Sequence, residues 1–281
     1  MLSSFSNPAI KSLAKSFRAN YSAKLGPMQK IIMLTGAPGV GKGTYARLLA
    51  DDFGYVKISP GDEIRKILNS KVNTTGMHPS AIEKLKANVQ AGKLVPDEII
   101  MELLYHKIMD PRASKGVILD GFPRTVSQLN TFTKVFPIHL CVNINHNVEY
   151  LMASLLGRRT CMDCGVSYSA YSYYKDGYEL DVQMPTHAGV CDHCGGKVKT
   201  RDDDKEEIVK ARLEEYVNKT YPILEKLEMN GNMIQFEAKR GMRDYPMLQQ
   251  IINSKVGRPY YYQRFQNLDV QNIASYYNSI Y

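Results

Sequence analysis

Nine consecutive residues, Gly36-Ala37-Pro38-Gly39-Val40-Gly41-Lys42-Gly43-Thr44, carry the most specific chemistry in the chain. Glycine at positions 36, 39, 41 and 43 lets successive backbone N–H groups converge on the oxygens of one anion. Lys42 adds a point charge able to reach β- and γ-phosphates. A helix starting here turns its positive end to the same anion. Together these types and spacings describe a loop that holds a nucleotide's phosphates, with Gly39, Val40, Gly41, Lys42, Gly43 and Thr44 as its contacts.

A second constellation is formed by cysteines. Cys161-Met162-Asp163-Cys164 and Cys191-Asp192-His193-Cys194 are two C-x2-C knuckles, followed by Gly165 and by Gly195-Gly196. Two such knuckles match a tetrahedral zinc site with four thiolates. Disulfides are the alternative pairing, and His193 is an alternative ligand. Four protein ligands leave no open coordination position, so zinc here would be structural, folding a segment too small to own a core. Cys141, alone in an apolar run, reads as a core residue.

The elements that must position these groups follow from periodicity. Short apolar or β-branched runs at 30–35, 55–58, 116–120, 139–144 and 233–236 show little alternation, as buried parallel strands do. Helical stretches lie between them at 63–68, 80–91, 97–108, 125–132 and 148–156. Gly92 is a C-cap signal. Asp204 with Glu207 resembles a capping box, opening a helix through Ile208, Arg212 and Tyr216 to about Tyr221. This alternation predicts an α/β fold, a doubly wound parallel five-stranded sheet with right-handed crossovers. The stretch 160–199 is rich in Tyr, Gly and Cys and lacks helical period, so it reads as a small insert. Its tyrosines (Tyr168, Tyr171, Tyr173, Tyr174, Tyr178) read as packing residues.

Charge separates the body from its ends. The net charge is +8, yet residues 1–30 hold five basic residues and no acid, leaving 31 basic against 28 acidic residues in the rest. That near-neutral body argues against a nucleic-acid binder. No apolar run is long enough to span a membrane. Phe5, Ala9, Leu13 and Phe17 recur every four residues, with Lys11, Lys15 and Arg18 on the opposite side. This acid-poor, amphipathic, Ser-rich start predicts a mitochondrial transit peptide over residues 1–27 and a matrix protein; a disordered basic tail is the plainer reading. From Lys255 to Tyr281 the chain holds six tyrosines beyond Gly257 and Pro259, a Tyr-rich extension over 256–281 that packs back, mediates association or stays disordered.

The strict phosphate loop places Ser or Thr directly after the lysine as a magnesium ligand. Here Gly43 comes first and Thr44 second. This form resembles the nucleoside monophosphate kinases, above all adenylate kinase. Asp120-Gly121-Phe122-Pro123-Arg124-Thr125 with Gln128 is similar to that family's DGFPRT signature. Gly61-Asp62 with Arg65, and Gly92-Lys93-Leu94-Val95-Pro96-Asp97-Glu98, resemble its monophosphate-binding segments. Gly157-Arg158-Arg159, Arg201-Asp202-Asp203-Asp204 and Arg212-Leu213 follow its lid pattern, and the cysteine knuckles resemble its long zinc lid. The resemblance covers about residues 30–255.

It implies a kinase core over 28–255, with a helical monophosphate-binding segment at 59–95 and a zinc lid at 158–201. It implies phosphoryl transfer from a nucleoside triphosphate, with Mg2+, to AMP, giving two diphosphates. Such transfer needs positive charge around the moving group rather than covalent help. Lys42 and the loop, with Arg158, would hold the donor. Arg65, Val95, Gly121, Arg124, Gln128, Arg201 and Arg212 would serve AMP, the arginines gripping phosphate bidentately. Arg158, Arg201 and Arg212 would close over the transferring group, held by Asp203 and Asp204, and Asp120 would orient magnesium through water. The lid and the 61–92 segment are expected to move so that water is shut out. Three positions depart from the family pattern: Ser154, Pro60 and Glu237-Ala238. They surround the base sites and leave the donor open between ATP and GTP or ITP, as in mitochondrial GTP:AMP phosphotransferases. A catalytically weak nucleotide sensor or assembly module on the same fold is the alternative function. A monomer is expected.

Overall fold

The structure is a computed structural model that describes residues 29–69, 77–90, 95–229 and 233–256. The expected transit peptide, the Gly92 cap with Lys93 and Leu94, and the Tyr-rich extension lie outside the described residues.

In chain order the core begins with β1 (Lys30–Thr35), α1 (Lys42–Phe53), β2 (Val56–Ile58), α2 (Pro60–Asn69), α3 (Pro79–Gln90) and α4 (Asp97–Ile108). It continues with β3 (Gly116–Asp120), α5 (Val126–Thr133), β4 (Leu140–Asn145) and α6 (Val148–Leu156). The insert supplies β5 (Arg158–Cys161), β6 (Ser167–Ser169) and β7 (Val198–Lys199). The chain returns through α7 (Glu206–Glu215), a π-helical turn (Tyr216–Thr220), α8 (Tyr221–Met229), β8 (Met233–Glu237) and α9 (Tyr245–Val256). Among the described residues no helix is long and apolar enough to cross a membrane.

Strand order is β2-β3-β1-β4-β8, every pair parallel. A parallel sheet must be covered on both faces, and the side-chain alternation shows how. Ile31, Met33, Val117 and Leu119 point to one face, under Leu104 of α4, Phe132 of α5 and Ile223 of α8. Ile32, Leu34, Ile118 and Val142 point to the other, under Leu49 of α1, Leu151 of α6 and Leu248 of α9. Cys141 lies within the first layer, and burial pushes its thiol up to about 12. β1 lies between β3 and β4, so the chain crosses over in both directions from it. A crevice opens at the carboxyl ends of strands at such a point. Helices α2, α3 and α4 enclose a further small core of Ile67, Met77, Ala81, Leu85, Ile99 and Leu103.

The insert is a three-stranded antiparallel sheet, β6-β5-β7. Tyr173, Tyr178 and Leu180 are buried together with Tyr150 and Tyr171 packed against them, and Tyr168 packs on Cys161 and Cys191. Tyr174 is exposed instead, its hydroxyl on Asp181.

Two local expectations are corrected. Asp204 caps no helix: α7 starts at Glu206 after Lys205, with no side-chain cap. The Asp204 carboxylate is buried against Arg158, so its oxygens are taken by the guanidinium rather than by backbone N–H groups of α7. The helix also does not run evenly to Tyr221, because it widens into the π turn at 216–220 and resumes as α8. Helix α9 escaped the sequence reading.

Candidate active site

The phosphate loop is shaped by its glycines. Gly41 caps α1 at φ 83° and ψ 12°, a left-handed conformation that costs a side chain dearly. No side chain caps α1 and no acid sits in its first turn, so its positive end is open to an anion, although the Thr44 and Tyr45 amides already donate to the Gly41 carbonyl. Gly36 lies where an added Cβ would come within 2.3 Å of the Ile144 carbonyl oxygen, so the loop is pressed against the end of β4.

Lys42 donates to the carbonyl oxygens of Gly36 and Ala37, both at 2.8 Å. Enclosure by the loop pulls its ammonium down from 10.5 to about 8; Asp120 opposes this, while Arg124, Arg158 and Arg212 reinforce it. Above that pH the unliganded protein loses the loop's charge, whereas below it the ammonium is intact. A bound triphosphate stabilises the charged form, so binding takes up a proton above pH 8. Triphosphate affinity should therefore fall by up to about tenfold per pH unit above 8 and stay level between 6 and 7.5. Dissociation constants measured across that range check this, and a flat profile through pH 9.5 contradicts it.

Asp120 ends β3 beside the loop. Its carboxylate lies 3.4 Å from the ammonium of Lys57 on β2, which also lies 3.6 Å from Asp62. Asp62 is further ion-paired with Arg65. Burial alone would raise the Asp62 carboxyl, but Lys57, Arg65 and Arg201 hold it below the usual range. Over Gly61 two guanidinium groups converge, since a Cβ there would lie 3.7 Å from Arg65 and 3.9 Å from Arg124.

The lid arginines are tied down by acids. Arg158 holds both oxygens of Asp204. Arg212 meets the Asp203 carboxylate at 3.1 Å and that of Asp204 at 3.4 Å. Arg201 donates to Thr160 Oγ1 at 2.9 Å. Burial, with repulsion from Arg158 and Arg65, lowers its guanidinium to about 10.

One cavity of about 610 Å³ is lined by the phosphate loop, Lys57, Asp62, Asp120 and Gly121 together with Arg65, Arg124, Arg158, Arg201 and Arg212. Gln128 and Val95 stand behind its wall. Gln128 accepts from the Arg124 backbone N–H at 2.8 Å and donates to Asp97 at 2.9 Å. Val95 packs between the core and the small α2–α4 core. Ser154 donates to the Gly39 carbonyl at 3.1 Å, bracing the loop from α6. Pro60 opens α2. Ala238 is buried, while Glu237 accepts from the Tyr178 hydroxyl at 2.6 Å and so docks the insert on β8.

Lys57 is the functional-site residue that motif reading missed. A single lysine in a three-residue strand carries no spacing signal, and only tertiary structure brings it to Asp120.

The four lid cysteines are free thiols. Their sulfurs all lie within 4.8 Å of one another, with Cys161–Cys194 at 3.5 Å and Cys164–Cys191 at 3.6 Å. Zn–S bonds of about 2.3 Å in a tetrahedron place sulfurs ~3.8 Å apart, so the donor set fits that ion. The knuckles have the same turn: Gly165 donates to the Cys161 carbonyl and Gly195 to that of Cys191, at φ 75° and 74°. His193 stands outside the cluster.

A sequence model of the adenylate kinase family matches residues 34–232. An adenylate kinase of Caldicellulosiruptor saccharolyticus is 36% identical over 218 residues, which cover 76% of this chain and 94% of that protein. One of Zymomonas mobilis is 35% identical over 235 residues (81% and 98%), and one of Methanocella arvoryzae 34% over 214 (74% and 91%).

Proposed function

The chain belongs to the adenylate kinase family, and from that premise we propose how its residues divide the work of the reaction. As a nucleoside monophosphate kinase it passes the γ-phosphoryl group of ATP reversibly to AMP, giving ADP. The bond from the γ-phosphorus to the ADP leaving oxygen breaks, and a bond to an α-phosphate oxygen of AMP forms. A pure sensor on this fold is not favoured.

The observation that supports the division of roles is the shared cavity, in which the phosphate loop and five arginines face one another. Lys42 and the amides from Gly39 to Thr44 hold the β- and γ-phosphates. Arg65 and Arg124, converging over Gly61, grip the AMP phosphate. Arg158, Arg201 and Arg212 bring charge to the equatorial oxygens of the moving group, where it is most strongly felt in the transition state. Asp120, at the mouth of the loop, would hold a magnesium ion accompanying the triphosphate, and that ion would neutralise part of the phosphate charge. The insert, carrying zinc on Cys161, Cys164, Cys191 and Cys194, closes the cavity to water.

Donor choice is tested directly. Ser154 is small and neutral, its hydroxyl bonded to the Gly39 carbonyl, so this position supplies no charged plane on which a donor base can stack. Purified protein with AMP and each of ATP, GTP, ITP and CTP, followed by diphosphate formation, ranks the donors by kcat/KM. We expect turnover with the purine triphosphates, and no turnover with any donor would overturn the enzyme assignment. The acid-poor amphipathic start supports mitochondrial import with removal of about the first 27 residues. The amino terminus of the protein recovered from its own cells tests that reading.

A further inference from the structure

We propose that Lys57 is a tethered cation that competes with magnesium for Asp120 and Asp62 and so sets how much Mg2+ the enzyme requires. The inference rests on the nucleotide-kinase reading and concerns a residue to which that reading gives no part.

The geometry is specific. Among the described residues, Lys57 is the cation within ion-pair distance of Asp120, at 3.4 Å, and it bridges to Asp62 at 3.6 Å. The Asp120 side chain is largely buried and the Lys57 side chain is about one-quarter exposed, with 11% and 26% of their surfaces accessible. This is not a solvated surface pair of the kind that contributes little. The pair stands against the phosphate loop, because a Cβ on Gly43 would come within 3.4 Å of the Asp120 carboxylate and 3.7 Å of the Lys57 ammonium. Both side chains line the nucleotide cavity.

Two carboxylates facing a phosphate-binding loop attract a hydrated divalent ion and repel a bare triphosphate. A lysine between them opposes both effects, because its ammonium repels the divalent ion and attracts the triphosphate. It compensates the carboxylates when the nucleotide arrives without metal, and it must give up Asp120 when the metal arrives. Its four-carbon stem, rooted in β2, allows that swing. Lys57 should therefore raise the affinity for metal-free ATP and raise the Mg2+ concentration needed for full turnover.

The test uses the full chain and two readouts. The first is the dissociation constant of ATP in EDTA divided by that in saturating Mg2+. The second is the Mg2+ concentration giving half-maximal ADP formation at fixed ATP. For Lys57→Gln and Lys57→Met the ratio should rise, and the half-maximal Mg2+ fall, by about fivefold or more, while Lys57→Arg stays within about twofold of the parent protein. Met keeps the apolar stem without charge, so a fold defect peculiar to Gln does not decide the result. A ratio unchanged or reduced in both neutral variants overturns the proposal. Parent protein that binds ATP yet forms no ADP would instead count against the kinase reading, and the ATP-binding ratio would still judge Lys57.

Discussion

Lys42→Met should reduce kcat for ADP formation by about 10³-fold and weaken triphosphate binding. Lys42 is the charge at the centre of the loop, held within 2.8 Å of two loop carbonyls and flanked by the lid arginines. Those arginines arrive from the insert and from α7, whereas Lys42 is fixed to the first residue of α1, so no neighbour can take its place. Removing it takes away a charge that acts on the phosphates more strongly as negative charge shifts toward the leaving oxygen. The loss should therefore appear chiefly in kcat, with a smaller rise in KM. Lys42→Arg should not rescue, since a planar fork does not fit a loop that encloses a single ammonium. The fold should survive, because the ammonium is held at an energetic cost that its lowered pKa records. A steady-state loss below tenfold in a folded variant would falsify the role.

Cys191→Ser should abolish zinc binding by the four-cysteine cluster, whose sulfurs fit that ion, and cost activity about 10²-fold or more while the core stays folded. The insert buries almost nothing else near its knuckles: Cys161, Cys191 and Val198, with Val166 and Tyr168 packed alongside. Tyr173, Tyr178 and Leu180 pack elsewhere in the insert, so the knuckle end with β5 depends on the metal site, where structural zinc supplies roughly 10–16 kcal/mol of apparent binding energy in small domains. Catalysis suffers because of where the arginines are rooted. Arg158 and Cys161 are the two ends of β5, and Arg201 follows β7 and hydrogen-bonds Thr160 on β5. Loosening β5 and β7 therefore withdraws two of the five arginines. Metal content, limited proteolysis within 165–190 and kcat, measured on the same sample, check this; full activity in a metal-free variant would contradict it.

The sheet was legible because buried parallel strands appear as continuous apolar runs. Strands β1 and β3 begin and end where periodicity puts them, and the other three lie within one residue. The phosphate loop and the cysteine knuckles were legible because their chemistry is compact in sequence. What escaped was whatever tertiary contacts decide. Asp204 has the spacing of a cap but is claimed by Arg158 across the site, so a functional pairing displaced a local one. Gln128, expected to serve AMP, carries contacts that no spacing announces: its amide accepts from the Arg124 backbone and donates to Asp97. Lys57 had no pattern around it. Helix α9 left a weak trace in the four-residue spacing of Leu248 and Ile252, short of the run needed to identify a helix.

The wide turn at Tyr216–Thr220 sets a phase. A regular helix advances about 100° per residue, so an extra residue in one turn rotates everything beyond it. Upstream, Arg212 is aimed at Asp203 and Asp204; downstream, Ile223 and Leu227 are aimed at the core, and between them Thr220 donates to the Arg124 carbonyl at 3.1 Å. One continuous segment thus serves two azimuths, and the π turn is the offset between them. Deleting one of its residues would keep both flanking helices and Arg212 itself, yet turn the guanidinium away from the phosphoryl path. Sensitivity to chain length at this point, rather than to residue type, is the consequence.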